Sequence, residues 1–243
     1  VKSGHRLDKR AFDEFRKIEI TDNFIENAEG RCLVKLGNTQ VLVGVKLEVV
    51  EPYPDRPDEG TLMTSAELVP LSFAEFQPGR PDENSIEFAR VVDRGIRESK
   101  IIDFKKLCIE PGKKVWSVMI DLHVLDYDGN LVDAGTLAVT RALYGTQMPK
   151  YENEQMTRDE RTGPLPLAVK PVSCTFVKIG SQILVDPSTA EEKASDAEMT
   201  MTTNDDGDLC AAQKSGIGAF TKEEIDKMFE TAVFKGKELR NML

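Results

Sequence analysis

Alternation of apolar and polar residues dominates the first half of the chain. Val41, Val43, Val45, Leu47 and Val49 take every second position, which places them on one face of a strand running to Val50. The apolar run Cys32 to Leu36 ends at Gly37-Asn38, so residues 37–40 read as a hairpin connection. A Pro-rich acidic loop follows at 51–60, then a strand over Leu62–Leu71 and a second loop over 77–82. The period then changes. Ile86, Ala89, Val92 and Ile96 recur at three and four residues, which predicts a helix over Asn84–Lys100 with these four side chains on its buried stripe. Asp82 or Asn84 can cap its start. Alternation returns in Trp116, Val118, Ile120, Leu122 and Val124, and a turn at 127–130 leads into a helix over Leu131–Leu143.

Tyr151 to Gly163 is polar and without period, as a linker would be. Residues 156–163 then divide an N-terminal part, 1–155, from a C-terminal part, 164–243. The second part predicts strands over 172–179 and 182–185, joined by Gly180-Ser181. A further pair, 199–203 and 209–213, is joined by the polar run 204–208. The last element is a helix from Thr221. Thr221 and Glu224 form a capping box, and Ile225, Met228, Phe229, Ala232 and Leu239 form its apolar stripe. The expected class is α+β, with two sheet-and-helix parts packed together.

Charge narrows the function classes. The 243 residues carry 32 Lys+Arg against 42 Asp+Glu, a net charge of −10. That balance argues against coating nucleic acid with the whole surface and leaves a local basic site open. Cys32, Cys108, Cys174 and Cys210 are far apart and only two His are present, so zinc-binding spacing is absent. Reduced thiols in a cytoplasmic protein are the simplest expectation. No run of about 18 apolar residues exists, and the opening Val1–Arg6 has no apolar segment of the signal-peptide kind.

The most informative chemistry lies on the helix after Pro81. Arg90, Arg94 and Arg97 are spaced i, i+4, i+7 and fall within about 60° of one another at 3.6 residues per turn. Three guanidinium groups on one face form an anion-binding strip, because each is planar, permanently charged and able to grip phosphate with two bonds. Successive phosphates of single-stranded nucleic acid would fit it. The competing reading is pairing with Glu87, Asp93 and Glu98, which sit three or four residues from an arginine.

Three other candidates carry weaker chemistry. Asp133-Ala134-Gly135-Thr136 lies near a helix start, where free N–H groups bind anions, but no adjacent cation completes the site. A Gly needed for close helix–sheet packing is the favoured reading there. The cluster Glu191, Glu192, Asp196, Glu198 can hold magnesium or act as acid and base, yet a solvated loop is the favoured reading. His123, beside Asp121, reads as a core or edge histidine.

Several segments together resemble the RNase PH-like family. Arg6-Leu-Asp-Lys-Arg10 is similar to its Arg-x-Asp-Gly-Arg opening, with Lys9 in place of Gly. Residues 34–44 resemble its first hairpin, and Leu131–Thr136, Val185–Ser188 and Gln213–Gly216 follow in matching order. The stretch from Gly79 to Arg94 resembles, more specifically, the archaeal exosome ring subunit that lacks its own active site.

The resemblance implies an RNase PH-like fold and a six-membered ring built from three pairs of two subunit subtypes. The active subtype degrades RNA from its 3′ end with inorganic phosphate as nucleophile. The other subtype shapes that site and helps hold RNA, and RNA-binding cap proteins sit on one ring face. Active members carry Gly-Ser/Thr-Arg where this chain has Gly135-Thr136-Leu137, and two Asp where it has Glu192 and Glu198. A Leu offers a phosphate dianion neither charge nor donor. The expectation is therefore a non-catalytic subunit with no cofactor of its own, phosphate and Mg2+ being used at the catalytic partner's site. Residues matching Arg90 and Arg94 contact the RNA backbone in the resembling subunit, and Arg97 extends the strip. The alternative is a chain that is itself a phosphorolytic 3′-to-5′ exoribonuclease, with Glu192 as acid or metal ligand.

Overall fold

The structure is a computed structural model that describes residues 5–22 and 24–243. Val1–Gly4 of the opening segment lie outside the described residues.

The alternating segments build one mixed sheet. β1 (Ile18–Asp22), β2 (Gly30–Leu36), β3 (Thr39–Val50), β4 (Thr61–Leu68) and β6 (Lys114–Asp126) take the order β1-β2-β3-β6-β4, and the short β5 (Cys108–Glu110) pairs with β6. The β2–β3 hairpin turns through Gly37-Asn38, with Gly37 at φ +60°. Across β3 and β6 the register sets Val41 against Val124, Val43 against Leu122, Val45 against Ile120 and Leu47 against Val118. All eight side chains are buried. Burying each contributes about 1.5–3 kcal/mol, so this pairing fixes the register of the sheet centre. β4 runs parallel to β6 and ends at Leu68, before Pro70, short of the predicted Leu71; Leu71 is exposed.

The second sheet is antiparallel. β9 (Val172–Ile179), β10 (Gln182–Val185), β11 (Ala197–Thr203) and β12 (Leu209–Ser215) take the order β10-β9-β11-β12. Helices α1 (Glu83–Glu98) and α2 (Leu131–Gly145) lie between the sheets. α2 touches β2 and β3 on one side and β9 on the other, while α1 touches β4 and β12. The final helix, α4 (Lys222–Arg240), packs on β9 and β11 and starts at the predicted Thr221–Glu224 capping box. Of its predicted stripe, Met228, Ala232 and Leu239 are buried, whereas Ile225 is exposed.

Three expectations need correction. Residues 156–163 are not an irregular linker: β7 (Gln147–Glu152) and β8 (Gln155–Pro164) form an antiparallel hairpin. Its strands are largely solvated, so no apolar alternation marks them in the sequence. Tyr151 rests edge-on against Trp116, and Arg158 pairs with Glu29 and Glu48, which ties the hairpin to the first sheet. On α1 the buried residues are Ser85, Phe88, Ala89, Val92, Gly95 and Ile96. Ile86 is exposed because it lies about 120° around the helix from Val92. The third correction concerns Glu191 and Glu192, which belong to a short helix, α3 (Thr189–Lys193), rather than to a solvated loop.

Candidate functional site

α1 separates two concavities. Asp82 caps the helix by accepting a bond from the Ser85 N–H, and Glu83 lies in its first turn, so the positive helix end is satisfied locally. The opposite end of the helix presents the three arginines. All line one groove of about 370 Å3 together with Leu62, Thr64, Asp93 and Glu98.

Their situations differ. Arg97 donates to both Asp93 carboxylate oxygens, at 3.0 Å and 3.0 Å, and to the Leu62 carbonyl at 3.1 Å. Thr64 holds Asp93 in place at 2.9 Å. Arg94 is exposed and donates through Nη1 to Gln213 Oε1 at 2.8 Å. Arg90 is exposed and has no hydrogen-bond or ion-pair partner among the described residues. Intramolecular pairing, the competing reading, therefore applies to Arg97 alone; Glu87 and Glu98 pair with neither of the others.

The second concavity is a cleft of about 220 Å3 lined by α1, the turn before α2, and strands β9, β11 and β12. Glu87, Glu192 and Glu198 contribute carboxylates to its walls, and no Lys or Arg lines it. Glu192 accepts from the Asn130 N–H at 2.6 Å and from the Tyr127 hydroxyl at 2.5 Å. Burial nonetheless holds its carboxyl above the usual range. Burial and the neighbouring Glu192 charge push Glu198 up to about 8. Burial also pushes Asp133 up to about 6, against bonds from Asn130 and Thr175. These groups disfavour negative charge, which is the opposite of what a phosphate dianion needs.

The position where a phosphate-holding Arg would be expected is Leu137, packed into the core at 2% exposure. Gly135 is explained by packing. A Cβ there would lie 2.8 Å from the Phe88 ring of α1 and 3.1 Å from Leu122, so any larger residue would have to displace that ring. The N-terminus of α2 also has its anions already, with Asp133 in the first turn and Glu192 on the Asn130 N–H. Both Glu192 oxygens are taken, and among the described residues no three His, Cys, Asp or Glu converge.

Sequence reasoning missed what holds this cleft together. Arg6 is buried and grips Glu191 with two bonds, at 2.9 Å and 2.6 Å, while donating to the Val185 and Asp186 carbonyls. Burial alone would raise the Glu191 carboxyl, but Arg6 and the Ser188 N–H hold it below the usual range. Asp186 is fully buried and receives bonds from Arg10, Arg16 and Asn130, at 2.9 Å, 2.7 Å and 2.8 Å. The N-terminal segment therefore clamps β10 and α3 against the turn before α2. The Arg-x-Asp-x-Arg spacing of residues 6–10 was the one visible signal of this clamp. Lys9 in this spacing adopts φ +66°.

The remaining candidates fall outside both concavities. His123 is a surface histidine whose Nδ1 lies 3.3 Å from Glu67, and Asp121 accepts from Ser65 at 2.5 Å. Asp196 accepts from the Gly180 N–H at 2.8 Å. Cys32 and Cys174 are buried, and burial raises both thiols, so neither is poised as a nucleophile. No helix among the described residues is long and apolar enough to cross a membrane.

Comparison with known proteins gives the family of this fold. Residues 14–149 match the 3' exoribonuclease family, domain 1, and residues 170–233 match domain 2 of that family. The chain is 49% identical over 244 residues to the exosome complex component Rrp42 of Thermococcus kodakarensis, spanning 99% of this chain and 90% of that protein. It is likewise 49% identical over 240 residues to Rrp42 of Archaeoglobus fulgidus, spanning 99% and 91%. Among solved structures it is similar to a chain of the Archaeoglobus fulgidus exosome with RNA bound to the active site. The TM-score there is 0.93 and the identity 48%, over 99% of this chain and 93% of that one.

Proposed function

Because this chain belongs to the 3' exoribonuclease family of RNase PH-like proteins, alongside the archaeal exosome components Rrp42, we propose that it holds RNA for a catalytic partner without performing the cleavage itself. It pairs with a catalytic RNase PH-like subunit, and three such pairs close a hexameric ring in the cytoplasm. RNA-binding cap proteins sit on one face of that ring. The partner's site uses inorganic phosphate as nucleophile and Mg2+ to offset charge, and releases nucleoside diphosphates.

The observation that carries this reading is the contrast across α1. On one side lies a cleft with three carboxylates and no cation in its lining. In the groove lie two exposed guanidinium groups that no carboxylate among the described residues neutralises. A phosphorolytic site must hold a phosphate dianion next to the polyanionic RNA end. A cleft that holds its acids above their usual range, with no cation in its lining, disfavours added negative charge and so disfavours both. A groove with free arginines does the reverse, because each binds a backbone phosphate without reading the base. The single strand therefore runs along the α1 groove, with Arg90 and Arg94 each on a phosphate, and its 3′ end reaches the partner.

The test is the double variant R90A/R94A in the ring assembled with the catalytic subunit. RNA affinity and phosphate-dependent turnover at sub-saturating RNA should both fall by tenfold or more, the loss expected for charge-assisted contacts. Unchanged RNA affinity would contradict the assignment.

A further inference from the structure

We infer that Gln213 is a positioning residue for the RNA grip: it tethers Arg94 across the seam between the two sheets while leaving its charge free for phosphate. This rests on the RNA-holding role of the α1 groove and adds a residue from the other half of the molecule to it.

The geometry is specific. Gln213 sits on β12, opposite Thr200 of β11, with a side chain that is partly buried. It lines the acidic cleft, yet its Oε1 accepts from Arg94 Nη1 at 2.8 Å, so it reaches the arginine face of α1. A Cβ on Gly95 would lie 2.9 Å from Thr202 Oγ1, which marks a close approach of α1 to β11. Arg94 is thus held from a strand of the second sheet.

The chemistry of the acceptor matters as much as its place. Arg97, one turn on, faces a carboxylate and is neutralised by it. Arg94 faces an amide oxygen, which is a dipole and not an anion. An amide orients a guanidinium through one N–H and leaves the net positive charge and the remaining N–H groups available. A carboxylate in the same place would orient it equally well and cancel the charge. Arg90, with no partner, keeps its charge and loses the orientation. The groove therefore holds three states of one side chain, and only Arg94 is both oriented and charged.

The experiment compares Q213E, Q213M and R94A, alone and with Q213E added to R94A, in the ring assembled with the catalytic subunit. The readout is the affinity for a fluorescent single-stranded oligoadenylate as salt is varied. Q213E should weaken binding by about tenfold at low salt and lower the salt slope by about 0.7, the loss of one phosphate contact on a single strand. Q213M keeps the charge and removes the tether, so affinity should fall by about two- to threefold with the slope unchanged. Q213E should add nothing in the R94A background. The inference is overturned if Q213E leaves the slope at the wild-type value, or if it weakens binding equally without Arg94. If R94A itself binds like wild type, the RNA-holding role of the groove fails first and this inference with it.

Discussion

The two concavities beside α1 differ in how their charges are treated. In the cleft, carboxylates are drawn inward, where burial and mutual repulsion raise their proton affinity. In the groove, arginines stand in solvent and only one of three is neutralised. The same helix serves both, since Glu87 and Phe88 line the cleft and Arg90 and Arg94 line the groove. What the difference teaches is that one helix can border a cleft unsuited to a small anion and a groove whose free guanidinium groups suit a long one. A phosphate dianion needs one exact pocket. An RNA strand needs a few cations at backbone spacing, which a helix face supplies without precise shape.

The sharpest way to separate the two is to remove what supports only one. The Arg6–Glu191 pair holds α3, and with it Glu192, but does not touch the groove. R6A leaves a buried carboxylate unpaired and should cost about 3–5 kcal/mol of stability, read by denaturant unfolding. R90A/R94A acts on the other side. It should leave the unfolding midpoint nearly unchanged and lower the salt slope of RNA binding by about 1.4, two single-strand contacts' worth.

The cleft carries its own pH signature. Glu198 binds its proton more tightly in the folded chain than its usual value near 4.5 allows, at about 8. The folded state therefore holds more protons than the unfolded one between these values. The stability contributed by protonated Glu198 is complete below about pH 4.5 and is lost as pH rises through about 8. E198Q should flatten that decline and raise the melting temperature at pH 9 by a few degrees, with little change at pH 4. The smallest effect belongs to R97A. Its charge is already spent on Asp93, so RNA affinity should change by no more than about twofold and stability by about 0.3–1 kcal/mol.

Local periodicity made much of this visible in advance. The β2–β3 hairpin, the alternating face of β6, the cap of α4 and the three arginines on one face of α1 all depend on residues within a few positions of one another. Ile86 misled because a helix wedged between two sheets buries a different arc than its strongest apolar spacing implies. The β7–β8 hairpin was hidden because it is solvated and held by a side-chain pair, Arg158 with Glu29, from distant parts of the chain. α3 has five residues, too few to show a period. The carboxylates of residues 191–198 looked like a solvated run for a related reason. Their partners, Arg6, Tyr127 and Asn130, lie between 62 and 185 positions away. That groove and cleft share a helix was not legible either, because it takes β12 packed against α1 to close the cleft.

The central claim is that this chain grips RNA and leaves the chemistry to its partner. The most direct test is the release of nucleoside diphosphates from single-stranded RNA, with inorganic phosphate and magnesium, by the chain alone and by the ring assembled with the catalytic subunit. No release by the chain alone and rapid release by the ring, slowed by R90A/R94A, is the predicted result. Phosphate-dependent release by the chain alone, abolished by E192Q, would contradict it and make the acidic cleft an active site.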